Sequence, residues 1–165
     1  MSDPSEPVTQ AAAPVRLAFT ARAGADLSKF LRGLTERRIV GRRCDTCHKV
    51  YVPPRGACPT CGTRMGGEVE LSQHGTVTTF CVVNIPFEGQ RLKPPYACAS
   101  VLLDGADIGL FHLVGNCEVK DVRMGMRVKA VWVDDADMEL SLESIKYFEP
   151  SGEPDVPFDA IREYI

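Results

Sequence analysis

The chain has 165 residues, 44% of them hydrophobic and 25% charged, and a formal net charge of −3. That suits one compact domain, or one small domain with an attached module. No stretch approaches the roughly 18 uninterrupted apolar residues of a membrane helix, and the first twenty residues have neither the basic start nor the apolar run of a secretory signal, so a cytoplasmic protein is expected. The charge is divided: residues 1–65 carry 11 Lys/Arg against 5 Asp/Glu, and residues 66–165 carry 8 against 17. Two modules with different surfaces are expected from that asymmetry.

Residues 1–24, rich in Ala, Pro and small polar residues, predict a mobile N-terminal arm. The next segment, ADLSKFLRGLTERR, places Leu27, Phe30, Leu31 and Leu34 at i, i+3, i+4 and i+7, one face of a helix. Asp26 is the expected N-cap, and Gly33 weakens the helix by about 1 kcal/mol relative to Ala. A helix this short persists only if its apolar face docks on something. Arg38 to Arg43 predicts a strand leading into the first of two Cys-x-x-Cys pairs.

Beyond the second pair the pattern changes. Residues 76–85, 96–104, 107–115, 126–133 and 138–148 form five strand-like runs rich in β-branched and aromatic residues. Gly75, Pro86, Pro94, Pro95, Gly105 and Gly125 punctuate them, and Asp104 to Asp107 reads as a hairpin turn. The expected fold is mainly β: an N-terminal helix, a rubredoxin-like zinc ribbon, then a five-stranded OB-fold barrel. The expected divisions are helix and ribbon over 25–67, OB-fold over 68–149 and an acidic, Pro/Gly-rich tail over 150–165.

Four of the seven cysteines stand as CDTC (44–47) and CPTC (58–61). In a reducing compartment such pairs point to metal or redox chemistry rather than disulfides. Zinc prefers four thiolates in a tetrahedron, and two facing turns of this spacing supply them, so Cys44, Cys47, Cys58 and Cys61 are the expected ligands of one zinc ion. Cys44 to His48 also matches a c-type haem attachment, but that reading leaves the second pair without a role. A thioredoxin-like pair needs a βαβ unit, which the pattern lacks. Four matched cysteines close the coordination shell, so the metal is expected to be structural.

Arg37, Arg38, Arg42, Arg43, Lys49, Arg55 and Arg64 surround these turns, opposed between 37 and 64 only by Asp45. They either compensate the negative zinc–thiolate centre or form a site for phosphates. Cys81 and Cys98 fall within strands and Cys117 in the turn after the third; buried free thiols are expected there. His112, in a strand of Leu and Phe, reads as a hydrogen-bonded core or edge histidine. No nucleophile elbow, phosphate-binding glycine loop or diagnostic carboxylate pair is present in the sequence. No catalytic residue is assigned, and no turnover by the isolated chain is expected.

The order of parts is itself informative: the amphipathic helix, RRIVGRRCDTCHKVYVPPRGACPTCG, HGTVTTFCVV, KPPYACASVLLDG and GMRVKAVWV. It resembles the zinc-ribbon/OB-fold family of acyl-CoA-associated proteins, long labelled a domain of unknown function. The resemblance runs from about Asp26 to Pro150, and PPR followed by CPTCG between the cysteine pairs is its most specific part. It implies an accessory subunit that docks on a thiolase-like or aldolase-like acyl-CoA enzyme, in a hetero-oligomer, and helps hold or pass on the CoA thioester.

Within that reading Arg42, Arg43 and Arg55, with Phe87, Arg91, Lys93 and Tyr96 of the first barrel loop, are the expected CoA contacts. Phe30 and Leu34 of the helix, together with Phe158, Ile161 and Ile165 of the tail, are the expected docking residues. Leu27, Leu31 and Tyr164 accompany them. The alternative is a single-stranded nucleic-acid-binding module, since OB-folds and zinc ribbons both serve that purpose. The acidic barrel half argues against it, because a groove that tracks phosphates should be positive.

Overall fold

The computed structural model describes residue 20 and residues 22–165, so the expected N-terminal arm lies almost wholly outside the described residues. Helix α1 spans Ala25–Thr35. Its N-cap is Gly24, with no side-chain cap, rather than Asp26. The Asp26 carboxylate instead accepts a hydrogen bond from Arg42 Nη1 at 2.8 Å. The helix ends where Arg37 adopts a left-handed conformation (φ 56°), and the Arg38 N–H returns to the Gly33 carbonyl at 2.8 Å. A Cβ on Gly33 would stand 3.1 Å from the Arg38 carbonyl oxygen, so the glycine that weakens the helix also lets the chain fold back on it.

Strands β1 (Ile39–Arg43), β2 (Val50–Tyr51) and β3 (Glu68–Leu71) form an antiparallel sheet in the order β2-β1-β3. Five further strands follow: β4 (His74–Val83), β5 (Tyr96–Leu103), β6 (Leu110–Val114), β7 (Arg127–Trp132) and β8 (Ile145–Pro150). They close a barrel in the order β4-β5-β6-β8-β7, with β7 returning to β4. Along β5 buried and half-buried residues alternate strictly, so one side chain in two fills the barrel. Residues 68–71, expected within the OB-fold half, form β3 of the ribbon sheet, paired along β1, and the chain enters the barrel's first strand three residues later.

Two strand expectations are corrected. The third barrel strand begins at Leu110, because Asp107 is engaged elsewhere: its carboxylate accepts from the Val50 N–H at 2.7 Å, and its own N–H donates to the Val50 carbonyl at 2.9 Å. Residues 138–144 are not strand but turn and a short 3₁₀ segment (Leu142–Ser144). There Ser141 Oγ accepts from the Glu143 N–H, and Ser144 Oγ donates to the Glu139 carbonyl, local bonds that compete with a ladder.

One contiguous core joins the parts. Phe30 and Leu34 of α1, Ile39, Val50 and Val52 of the ribbon, and Val77, Val101, Leu103, Val128, Ile145 and Phe148 of the barrel belong to it. Phe30 and Leu34, 1% and 0% exposed, are therefore not available for docking: the helix meets its need for apolar cover inside its own chain. The tail is corrected likewise. The Val156 N–H donates to the Gly125 carbonyl at 2.8 Å, and Asp155 and Glu153 pair with Arg123 and Arg127. The short helix α2 (Phe158–Ile161) then buries Ile161 at 2% exposure, while Phe158 and Ile165 stay exposed.

Candidate metal centre and barrel face

The two Cys-x-x-Cys turns are built alike. In the first, the His48 N–H donates to the Cys44 carbonyl at 2.9 Å; in the second, the Gly62 N–H donates to the Cys58 carbonyl at 2.9 Å. His48 and Gly62 occupy the same left-handed position (φ 63° and 69°). His48 is thus the turn-closing residue of the first knuckle, which accounts for the CDTCH pattern without haem. Each turn directs backbone N–H groups at its leading sulfur. Those of Cys47 and Thr46, with the Thr63 hydroxyl, lower the Cys44 thiol to about 6 against its burial.

All four sulfurs lie within 4.8 Å of one another, and Cys47 Sγ is 3.6 Å from Cys58 Sγ. A zinc ion with bonds of about 2.3 Å requires tetrahedral edges of about 3.8 Å, so the donor set fits zinc in identity, number and spacing. The neighbouring thiols push the Cys61 thiol up to about 12, chiefly through its hydrogen bond with Cys47, so the negative charge of four thiolates calls for a cation here. Cys44 and Cys58 are buried, and Tyr51 and Met65 complete a small separate core around them. The cysteines fill the shell and leave no open position, the arrangement of a structural site.

The expected CoA contacts are not brought together. Arg42 is committed to Asp26 and to the Gly66 carbonyl, and Arg91 to Glu143. Tyr96 is half-buried, its hydroxyl accepting from Gln90 Nε2 at 3.0 Å. Arg43 and Arg55 are exposed on the ribbon, Phe87 and Lys93 on the barrel loop, and no hydrogen bond or ion pair joins the two sets among the described residues. Arg55 lies over the Tyr51 ring at 5.7 Å. Arg43, Lys49, Arg55 and Arg64 have no carboxylate partner among the described residues.

Sequence reasoning missed a second feature. In an OB-fold, the face of the second and third strands and the loops after the first and fourth are the binding surface. Here these are β5, β6 and residues 84–95 and 133–144. Two adjoining depressions of about 290 and 410 Å³ lie on that face, sharing His112 and Leu113. Phe111, Leu92 and Leu140 stand exposed on β6 and the two loops. The signal was legible: Phe111 and Leu113, two residues apart, face Ser100 and Cys98 on the outward register of β5, where alternation calls for polar residues.

His112 lies beneath this face. Its Nε2 is 3.3 Å from the Leu142 carbonyl and its ring meets Phe148 edge-on. Burial lowers its pKa, so the neutral ring donates to Leu142, a structural role as expected. The remaining thiols depart from expectation: Cys81 is exposed, and Cys98 and Cys117 are half-buried.

Comparison with known proteins agrees with these parts. Residues 32–65 match the family described as "ChsH2, rubredoxin-like zinc ribbon domain" and residues 68–133 that described as "ChsH2, C-terminal OB-fold domain". A "DUF35 domain-containing scaffold protein" of Methanocaldococcus jannaschii is 35% identical over 96 residues, covering 57% of this chain and 67% of the relative. A protein of the same description from Methanothermobacter thermautotrophicus is 28% identical over 96 residues, covering 57% of this chain and 71% of the relative. Among solved structures, one described as "Ltp2-ChsH2(DUF35) aldolase" aligns at TM-score 0.61 and 25% identity over 80% of this chain and 99% of that one. A DUF35-family protein of unknown function from Sulfolobus solfataricus aligns at TM-score 0.57 and 20% identity, covering 77% and 84%, which shows the shared fold.

Proposed function

Because the chain belongs to the DUF35 family of zinc-ribbon and OB-fold proteins, we propose that it is a non-catalytic accessory subunit of an acyl-CoA enzyme. The partner is thiolase-like or aldolase-like, one zinc ion holds the ribbon, and the subunit helps bind or pass on the CoA thioester. The scaffold descriptions of the relatives and the aldolase named with the aligned structure support the partner class.

The observation that carries the reading is the exposed apolar OB face. Phe111 (60% exposed) lines one of two depressions that the described residues leave open, and Leu140 (62%) stands next to Ser141 at its rim. Exposed apolar surface of this kind marks partner or ligand sites. This face takes over the docking role first expected of Phe30, Leu34 and Ile161, with Phe158 and Ile165 as a second exposed apolar point. Arg43, Lys49, Arg55 and Arg64, without a carboxylate partner among the described residues, together with Lys93 of the loop, suit the phosphates of CoA. A nucleic-acid groove is less well supported, since on the OB face Arg91 is already neutralised by Glu143.

The test is co-purification from the native host using the wild-type chain and the Phe111→Glu, Leu140→Glu double variant. A thiolase-like or aldolase-like chain should co-elute stoichiometrically with the former and be lost with the latter, both proteins retaining metal and fold. Co-elution unchanged by the double variant overturns the face assignment. Stoichiometric nucleic acid in place of an enzyme overturns the function.

A further inference from the structure

Outside the metal centre the described residues hold three thiols, and two of them are placed face to face. Cys81 of β4 and Cys98 of β5 are direct cross-strand partners in the antiparallel register. Their neighbours two residues further out, Val83 and Tyr96, are paired as well and begin and end the 84–95 loop. The two cysteines therefore stand at the base of the loop that borders the OB face. Directly opposed residues in an antiparallel ladder have Cα atoms roughly 4.5–5.5 Å apart, inside the roughly 4.4–6.8 Å that a disulfide spans. Side chains at such positions lie on the same face of the sheet. Cys81 is exposed and Cys98 half-buried, so one thiol meets solvent while the other waits beside it. Burial raises the Cys98 thiol first, and Cys81, paired across from it, raises it further.

We infer that Cys81 and Cys98 are a reversible disulfide-forming pair that clamps the base of the 84–95 loop. With oxidised glutathione as oxidant, the exposed Cys81 thiolate attacks one sulfur of the glutathione disulfide. A Cys81–glutathione mixed disulfide forms and one glutathione thiolate leaves with the electron pair. The Cys98 thiolate then attacks the Cys81 sulfur, and the second glutathione leaves. Two electrons pass from the protein to glutathione, and the two thiol protons end on the two glutathione molecules. Cys117 has no cysteine partner in the register, and the four ribbon cysteines are held by their metal once it is bound. The pair is thus the site where oxidation closes within the chain. Closure joins two already paired strands and leaves the barrel order unchanged; what it restrains is the loop carrying Phe87, Arg91 and Lys93. The inference does not depend on the partner being an acyl-CoA enzyme.

The experiment uses the full zinc-loaded chain, incubated with oxidised glutathione and measured by intact mass, peptide mapping and metal content. The expected product has lost two hydrogens, links the Cys81 and Cys98 peptides, keeps its metal and reverts with dithiothreitol. Cys98→Ser should stop at one glutathione adduct, and Cys81→Ser should give no intramolecular link. Trypsin cleavage after Arg91 should be several-fold slower in the oxidised wild type than in the reduced form, and equal in the two forms of Cys98→Ser. A persistent glutathione adduct on the wild type, a link involving Cys117 or the ribbon cysteines, or a link that leaves the Arg91 cleavage rate unchanged overturns the proposal.

Discussion

Leu34→Ala separates a core helix from a docking helix. Leu34 is 0% exposed and packs in the core shared by the ribbon and the barrel. The substitution removes three buried carbons, about 2.4 kcal/mol at roughly 0.8 kcal/mol each. A cavity term adds to this, because neighbours held in strands cannot fully close the gap, and buried Leu→Ala changes span about 2.7–5 kcal/mol. The expected loss is about 3–4 kcal/mol. For a slope of about 2 kcal/mol per molar urea, that moves the unfolding midpoint down by roughly 1.5–2 M. Urea titration of the metal-loaded protein, followed by circular dichroism, reads it. A shift below about 0.3 M, with partner binding lost instead, would mean that the helix face serves a partner and that its burial here misassigns it.

Asp107→Ala removes the acceptor of the Val50 N–H at the junction of ribbon and barrel; a stability loss of about 1–3 kcal/mol is expected, read by the same titration, with Asp107→Asn recovering part of it. Cys58→Ser should lower bound zinc well below one per chain and leave the ribbon amides around 44–65 quick to exchange, because among the described residues just Tyr51, Met65 and the half-buried Ile108 join the cysteines in that small core; the β5 amides should stay protected. His112 titrates below its usual value of about 6.5 because it is buried, so the folded state binds fewer protons than the unfolded one. Stability should therefore fall as pH drops from about 6.5 through the folded value. His112→Gln should flatten that slope, and an unchanged slope would refute the assignment.

The five barrel strands and the metal knuckles were legible because their signals are local: two-residue alternation in one case, ligand spacing in the other. What was not legible depends on distant partners. Asp26 has the composition of an N-cap, yet its carboxylate is taken by Arg42, sixteen residues away. Asp107 looked like the start of a strand and serves the ribbon through Val50. Met138 to Ser144 alternates like a strand, but local backbone turns and the side-chain bonds of Ser141 and Ser144 make it a 3₁₀ corner. Leu27, Phe30, Leu31 and Leu34 announced that the helix needed cover; the sequence did not say that β1, the 142–144 corner and the core shared with the barrel supply it.

The charge asymmetry shows the same limit. A basic front and an acidic back suggested two modules with unlike surfaces, but much of the contrast is spent at their junction. Arg37 pairs with Asp135, Arg38 with Glu70 and Lys29 with Glu68, each joining a cation of the front to a carboxylate of the back. Exposed pairs of this kind are worth about 0–1 kcal/mol each, so they add little stability; Arg37–Asp135 reaches the segment between β7 and β8 of the barrel, while the other two tie α1 and its exit to β3 of the ribbon sheet. With Arg42 held by Asp26, three of the seven ribbon arginines and lysines are neutralised in place. The four that remain, Arg43, Lys49, Arg55 and Arg64, belong to the knuckles and their flanks. A count over the whole segment overstated the basic surface about twofold and hid its location. Among the described residues the unpaired cations of the ribbon are carried on the segment that holds the four cysteines, which Asp107 ties through Val50 to the barrel half.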